Sequence, residues 1–257
     1  MRVFRGVENL PKFRKAVATM GSFDGVHGGH LVLIRQVIER AKELGGESVV
    51  LTFDPHPRFV LGTGEGLQLL STLEEKIELL DRAGIDNLIV IPFTREFSRQ
   101  TPEEFIRSSL KQIGIERLVV GYNHRFGHNK EGDYNYLERE EKSFKIEMVE
   151  QQLISDNKVS STIIRQAIEQ GDIGQAIKLL SHPYIIICHT DENGIASTID
   201  TQKLLPQAGE YTTIINTEAF TLKISENREL KILDWRAPKD GCNKHKVTLE
   251  ITQHKQQ

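Results

Sequence analysis

Cysteine is scarce in this sequence, and so are long apolar runs and any surplus of positive charge. The two cysteines, Cys188 and Cys242, stand in no CxxC pair and have no histidine at a metal-ligand spacing. Neither a disulfide framework nor a zinc ribbon is written here, and a reducing compartment is the plain reading. The longest aliphatic stretches are runs such as Leu88–Ile91 and Ile185–Ile187, far short of the roughly 20 residues of a membrane span. The opening segment MRVFRGVENLPKFRKAV scatters its charges and has no apolar core. That pattern is not a signal peptide, and cytoplasmic residence is the expectation. With 33 Lys and Arg against 36 Asp and Glu, a net of −3, the chain lacks the basic excess of a protein that wraps duplex nucleic acid. Neither nucleic acid nor membrane is expected as a partner, and oligomeric state is not legible. A small phosphorylated ligand stays open, because it needs only a few well-placed groups.

What is present is strand–helix alternation. At about 150 residues per domain, the 257 residues suit one large domain or two small ones. Ala16–Met20 is a β-compatible run that breaks at Gly21. His30–Leu44 places Leu31, Ile34, Val37, Ile38 and Ala41 at helical spacing and stops at Gly45. Ser48–Phe53, Asn87–Phe93, Arg117–Gly121 and Phe144–Ile154 read as strands. Ser71–Ala83 reads as a helix with a Ser71/Glu74 capping box, and Pro102–Ile113 as a helix capped by Thr101. Ser161–Leu180 reads as helical with a break near Gly171. The alternation implies a doubly wound α/β domain with a parallel sheet, whose ligands sit beyond the carboxyl ends of the strands. After Pro183 the texture changes to short β-type runs at Ile185–Cys188, Thr212–Ile215, Phe220–Ile224 and Lys246–Ile251. They form an expected all-β domain of about 70 residues, ending in a frayed tail at Gln253–Gln257.

Chemistry gathers in the segments that follow strands. Gly21–His30, GSFDGVHGGH, joins a strand to a helix start. Its glycines admit a close backbone approach, and the helix start offers orphan N–H groups and a positive dipole end to phosphate. His27 and His30 could both face that phosphate. Two surface histidines in a flexible turn are the bland alternative. A His-x-x-His zinc site is another, although no third ligand stands at a fitting spacing. Thr52–Pro57, TFDPHP, has two prolines that make a stiff, extended wall suited to a flat aromatic ligand, or simply a stiff connection. Val120–Gly127, VGYNHRFG, mixes an amide, a cation and aromatics, as a binding loop or a surface loop would. Val159–Arg165, VSSTIIR, opens a helix with hydroxyls that either cap it or donate to phosphates. Neither a Walker A loop nor a Gly-x-Gly-x-x-Gly fingerprint is present.

These residues resemble the nucleotidylyltransferase superfamily, with its His-x-Gly-His signature at His27–His30 and its Ser-Ser-Thr-x-x-Arg element at Ser160–Arg165. More narrowly, the chain is similar to the prokaryotic bifunctional riboflavin kinase/FMN adenylyltransferase (FAD synthetase) family. The stretches that carry the likeness are GSFDGVHGGH, TFDPHP, EEKIELL, PFTREF, TPEEF, VGYNHRFG and VSSTIIRQAIEQGDI. The resemblance implies adenylyl transfer from ATP to FMN, giving FAD and pyrophosphate, with Mg²⁺ held mainly through ATP phosphates and no metal cage in the protein. It further implies that His27, His30, Asn123 and Arg165 serve catalysis. Gly21, Phe23, Asp24, Gly29, Ser160, Ser161 and Thr162 would bind ATP, and Phe53, Pro55, His56 and Pro57 would border FMN. It places the transferase in residues 1–183 and a small, barrel-like remnant of a riboflavin kinase module in residues 184–257. That second stretch lacks the family's Gly-Phe-Pro-Thr-Ala-Asn element and keeps only a turn at Leu204–Tyr211, so kinase activity is expected to be lost. The alternatives are a non-catalytic flavin-nucleotide sensor or partner-binding protein on the same fold, and a nucleotidylyltransferase with another acceptor. His124, where the family often has Phe, would touch the acceptor side.

Overall fold

The computed structural model describes residues 1–150, 153–154, 157–238, 242 and 244–255. The chain divides into two compact units. The first is Met1–Phe23, Gly29–Leu67 and Ile77–Lys158; the second is Asp24–Gly28, Gln68–Lys76 and Val159–Gln257.

The first unit is built on a six-stranded sheet of β1 (Arg2–Arg5), β2 (Ala16–Met20), β3 (Ser48–Asp54), β4 (Asn87–Pro92), β5 (Ile115–Gly121) and β6 (Lys145–Val149). The spatial order is β1-β4-β3-β2-β5-β6, and every neighbouring pair is parallel. Parallel strands need crossovers, and these are α1 (Gly28–Leu44), α2 (Pro57–Val60), α3 (Leu73–Arg82), α4 (Pro102–Phe105), α5 (Lys111–Ile113) and α6 (Tyr134–Glu140). All five residues of β2 are buried, as are the first five of β3 and β4. Continuous burial of this kind marks a sheet covered on both faces. One face packs Ala16, Ala18, Met20, Val49, Leu51, Ile89, Leu118 and Val120 against Phe105, Ile106, Leu110 and Leu137. The strand order reverses at β2, with β3, β4 and β1 on one side and β5 and β6 on the other. Such a switch point opens a crevice outside the carboxyl ends of the strands.

Besides Asp24–Gly28 and Gln68–Lys76, the second unit takes up the chain after the hairpin β7 (Leu153–Ile154) and β8 (Asn157–Lys158), starting there with α7 (Ser161–Glu169) and α8 (Ile173–Leu180). A closed antiparallel barrel comes next, made of β9 (Tyr184–Thr190), β10 (Ile195–Thr198), β11 (Gly209–Ile215), β12 (Glu218–Ile224), β13 (Leu230–Leu233) and β14 (His245–His254) in the order β10-β13-β12-β11-β14-β9. Closure removes exposed sheet edges. Ile164, Ile168, Ile173, Ala176, Leu179 and Leu180 of the two helices share one core with Ile186, Cys188, Leu222, Leu249 and Ile251 of the barrel.

The parallel sheet, its helices and the β-only carboxyl region match the expected architecture. Local departures have physical causes. The capping box lies one residue later than Ser71/Glu74. Thr72 N donates to Glu75 Oε2 at 2.9 Å and Glu75 N to Thr72 Oγ1 at 3.2 Å, because the Ser71 hydroxyl is taken by Gly25 N–H. Pro102–Ile113 is not one α-helix. Thr101 and Glu104 form the expected box, but Ile106–Leu110 widens into a π turn before α5. The proline wall is not extended throughout, since Pro57 opens α2 with His56 as its N-cap; the fixed φ of proline suits a first helical position. The Phe144–Ile154 strand is cut to β6, with Leu153–Ile154 in a separate hairpin and 151–152 outside the described residues. β14 runs to His254, into the stretch expected to fray, and 256–257 lie outside the described residues. β1, β10 and β13 carry no sequence signal because four residues are too few to show a period.

Leu118 is fully buried in β5 within the core that covers one face of the sheet. Leu118→Ala is expected to lower the unfolding free energy of the protein by about 2–5 kcal/mol, measured by urea denaturation.

Candidate active site

Two constellations are built where the sequence concentrates chemistry, one in each unit. In the second unit, the turn that connects β2 to α1 is strained. Gly25 has φ 80° and the following Val26 φ 42°, and Phe23, the last residue of the first unit before it, has φ 48°. A left-handed backbone at a β-branched residue such as Val26 is costly and persists only when the surroundings over-determine it. They do so here. Gly25 N donates to Ser71 Oγ at 2.8 Å, and Ser71 N donates to Asp24 Oδ1 at 3.1 Å. Ser161 Oγ donates to the Asp24 carbonyl at 2.9 Å, and His182 Nε2 lies 3.0 Å from the Gly25 carbonyl. Glycine is required at 25 for space as well, since an added Cβ would come within 2.9 Å of Leu70 Cδ1.

Arg165, one turn into α7, is fixed on the same turn. Its Nη2 donates to Asp24 Oδ2 at 2.8 Å and its Nε to the Gln68 carbonyl at 2.9 Å, with the Asp24 side chain 2% exposed. The carboxylate offsets the guanidinium charge, so Arg165 can serve an anion through directed N–H donors more than through net charge. Ser160 is the N-cap of α7, its hydroxyl accepting from Ile163 N, and Thr162 stands exposed in the first turn. His27 is buried, and burial pushes its imidazole down to about 4, outweighing the pull of Asp24. It is therefore a neutral hydrogen-bonding group near pH 7. Gly28 opens α1 directly after it; in the first unit, Gly29 continues that helix start and His30 lies edge-on to Phe23 at 5.1 Å between ring centroids.

In the first unit, a cavity of about 670 Å³ is lined by segments that follow β2, β3, β4 and β5. Its apolar walls include Phe53, Phe93, Phe97, Phe105 and Phe126, whose rings meet at centroid separations of 5.5–5.9 Å. Gly21, Ser22 and Pro57 complete one side, and Arg95, Arg99, Arg125 and Lys130 also line the cavity. A flat aromatic ligand with a charged tail fits such a lining. His124 stacks on Phe126 at 5.8 Å and 22°, and burial pushes its imidazole down to about 4.

Of the residues singled out in the sequence, the structure brings together Asp24, Ser161 and Arg165 in one network, and Gly21, Phe53 and Pro57 in one cavity wall. It does not bring Pro55 and His56 to that wall. Pro55 is exposed after a cis Asp54–Pro55 bond, and His56 Nδ1 accepts from Arg58 N. Asn123 is exposed in the loop two residues past the end of β5. No three His, Cys, Asp or Glu side chains gather into a metal-holding group among the described residues. Sequence reasoning missed Gln68, Ser71 and His182, whose roles depend on contacts from far along the chain, and gave no individual role to Phe93 and Phe97.

A family model described as FAD synthetase matches residues 10–163, which include both the turn and the start of α7. The chain belongs to the FAD synthetase family. It is 34% identical over 207 residues to the bifunctional riboflavin kinase/FMN adenylyltransferase of Listeria monocytogenes, covering 76% of this chain and 66% of that one. It is 32% identical over 202 residues to the protein of the same name from Escherichia coli, covering 64% of its length. The chain thus spans about two thirds of these family members. Another family member, named FAD synthetase and also from Listeria monocytogenes, is 32% identical over 222 residues, covering 85% of this chain and 87% of its own. A crystal structure titled as a macrolide-efflux protein from Streptococcus pneumoniae superposes with a TM-score of 0.81 at 22% identity, covering 98% and 90% of the two chains. At that identity the likeness speaks for the fold alone.

The His27 shift has a stability consequence. An unfolded imidazole titrates near 6.5 and the folded one near 4, so the neutral form contributes stability above about pH 6.5 that is lost as the pH falls towards 4. Between pH 7.5 and 4.5, wild type is expected to lose about 2 kcal/mol more unfolding free energy than His27→Gln, measured by urea titration at both pH values.

Proposed function

We propose that the protein is an FMN adenylyltransferase that makes FAD and pyrophosphate from FMN and ATP. The observation that carries this reading is the drawing of Arg165 and Ser161 onto the strained Asp24–His27 turn. Such a turn presents donors at a helix start, and phosphate chemistry needs them there. An FMN phosphate oxygen attacks the α-phosphorus of ATP, the bond from that phosphorus to the bridging oxygen breaks, and pyrophosphate leaves. There is little covalent work for the protein in such a transfer. Alignment and charge stabilisation supply the rate.

His27 and His30 contact the ATP phosphates in this reading, His27 as a neutral donor. Arg165, Ser160, Ser161 and Thr162 hold the leaving phosphates, and Asn123 stands beside the reacting ones. Gly21, Phe23, Asp24 and Gly29 belong to the ATP side, with Asp24 acting through the orientation of Arg165. Phe53 and Pro57, with the phenylalanine cluster, border the flavin; Pro55 and His56 bound the same loop. Gly21 and Ser22 of the cavity wall run directly along the chain into Phe23 and the turn. Mg²⁺ held through ATP oxygens, with no protein cage of its own, would offset phosphate charge in this reading. The setting in this reading is the cytoplasm. No helix among the described residues is long and apolar enough to cross a membrane.

Residues 1–183 supply the transferase in this reading, and 184–257 are what is left of a kinase module. A changed acceptor is the second reading, favoured by the neutral His124 in the cavity lining. A paired assay with ATP and Mg²⁺ tests both. FAD from FMN and no product from riboflavin are expected. Any FMN or FAD from riboflavin would show a working kinase, and no product from either would turn attention to another acceptor or to a sensor. In the same assay His30→Ala is expected to lower kcat at least about 10²-fold with FMN binding near normal, since contacts to developing phosphate charge are worth a few kcal/mol. Unchanged turnover would remove His30 from its role.

A further inference from the structure

Within the second unit, Lys203 and Glu75 form an ion pair at 2.8 Å with side chains 1% and 0% exposed. Each is satisfied by backbone on two sides. Lys203 Nζ also donates to the Leu70 and Ile185 carbonyls, both at 2.7 Å, and lies 4.1 Å from the Tyr184 ring centroid. All three ammonium donors are thereby used. Glu75 Oε1 accepts from Ile187 N at 2.9 Å, and Oε2 accepts from Thr72 N at 2.9 Å. Alongside, Leu69 pairs as a parallel bridge with Lys203, through Leu69 N to the Gln202 carbonyl at 2.7 Å and Leu204 N to the Leu69 carbonyl at 2.8 Å. Segment 68–75 is therefore laid on the barrel strand β9 and the loop before β11 and pinned at Leu69, Leu70 and Glu75. The residue between those pins is Ser71, which holds Gly25 and Asp24, and the Gln68 carbonyl just before them holds Arg165.

A buried ion pair contributes little net stability, because desolvation cancels most of the attraction. Its directed bonds to four backbone groups contribute position. We propose that Lys203 and Glu75 are positioning residues for the triphosphate, and that the barrel, lacking the family's kinase element, serves the transferase by holding the strained turn and Arg165 in register through segment 68–75. The proposal rests on the reading of that turn as the ATP side of an adenylyltransferase.

The test compares wild type with Ser71→Ala, which removes the hydroxyl link to Gly25 N and leaves the ion pair, and with Lys203→Met, which removes the pin. The quantities are calorimetric Kd for ATP with Mg²⁺, KM for ATP and for FMN, kcat, and the thermal midpoint. Both variants, folded at the assay temperature, are expected to raise Kd and KM for ATP by about tenfold and to lower kcat, with KM for FMN within about twofold. Folded variants with wild-type ATP binding, or with ATP and FMN constants shifted alike, would overturn the proposal. If Lys203→Met fails to fold, Glu75→Gln, which keeps the side-chain shape and weakens the pair, takes its place in the same comparison. Wild type that binds ATP but makes no FAD would refute the transferase reading, while the ATP-binding comparison still judges the positioning. Wild type that does not bind ATP would overturn both.

Discussion

The left-handed turn after β2 is the constraint on which the second unit's polar architecture depends. Val26 carries a backbone cost that β-branched L side chains avoid. A chain left to itself would relax into a commoner loop. The turn is held because hydrogen bonds reach it from Ser71, Ser161 and His182, and because Arg165 locks the Asp24 carboxylate. Each bond alone is worth about 1 kcal/mol. Together they over-determine a strained backbone, the condition under which such conformations persist at functional sites.

Electrostatics follows from the same burial. Asp24 and Arg165 enter a desolvated position as a pair, which spares either one the penalty of an isolated buried charge. His27, close by along the chain and also buried, is kept neutral. Near neutral pH the turn therefore holds polar groups with fixed directions and little mobile charge. Preorganised dipoles of that type need no rearrangement when charge develops in a transition state. The aromatic cavity of the first unit has the complementary character, with phenylalanine faces for a flat ring system and Arg95, Arg99, Arg125 and Lys130 also in its lining.

Much of the architecture was readable because parallel sheets leave a strong mark. The runs Leu88–Ile91 and Val49–Leu51, buried on both faces of the sheet, are apolar without alternation, and the helices between strands carry the 3.6 period. The four-residue strands β1, β10 and β13 were not readable, since pairing and barrel closure fix them, not any local period. The site was readable where chemistry is local. Glycines, histidines and hydroxyls crowd Gly21–His30 and Ser160–Arg165, where a turn and a helix start offer donors suited to an anion. Ser71 looked like a helix cap for the same local reason, and the adjacent Thr72 took that job when Gly25 claimed the Ser71 hydroxyl.

The sequence by itself determined the α/β alternation, the change to a β-only region after Pro183, and the residue types suited to phosphates. These depend on periodicity and on chemistry within a few neighbouring residues. Only the tertiary structure decided that Asp24 holds Arg165, separated by 141 positions, that Lys203 reaches Glu75 across 128, and that Phe93 and Phe97 share a cavity with Phe126. Those pairings are set by how strands and loops stack in three dimensions, and nothing in the spacing of residues along the chain encodes which distant carboxylate a buried cation will meet.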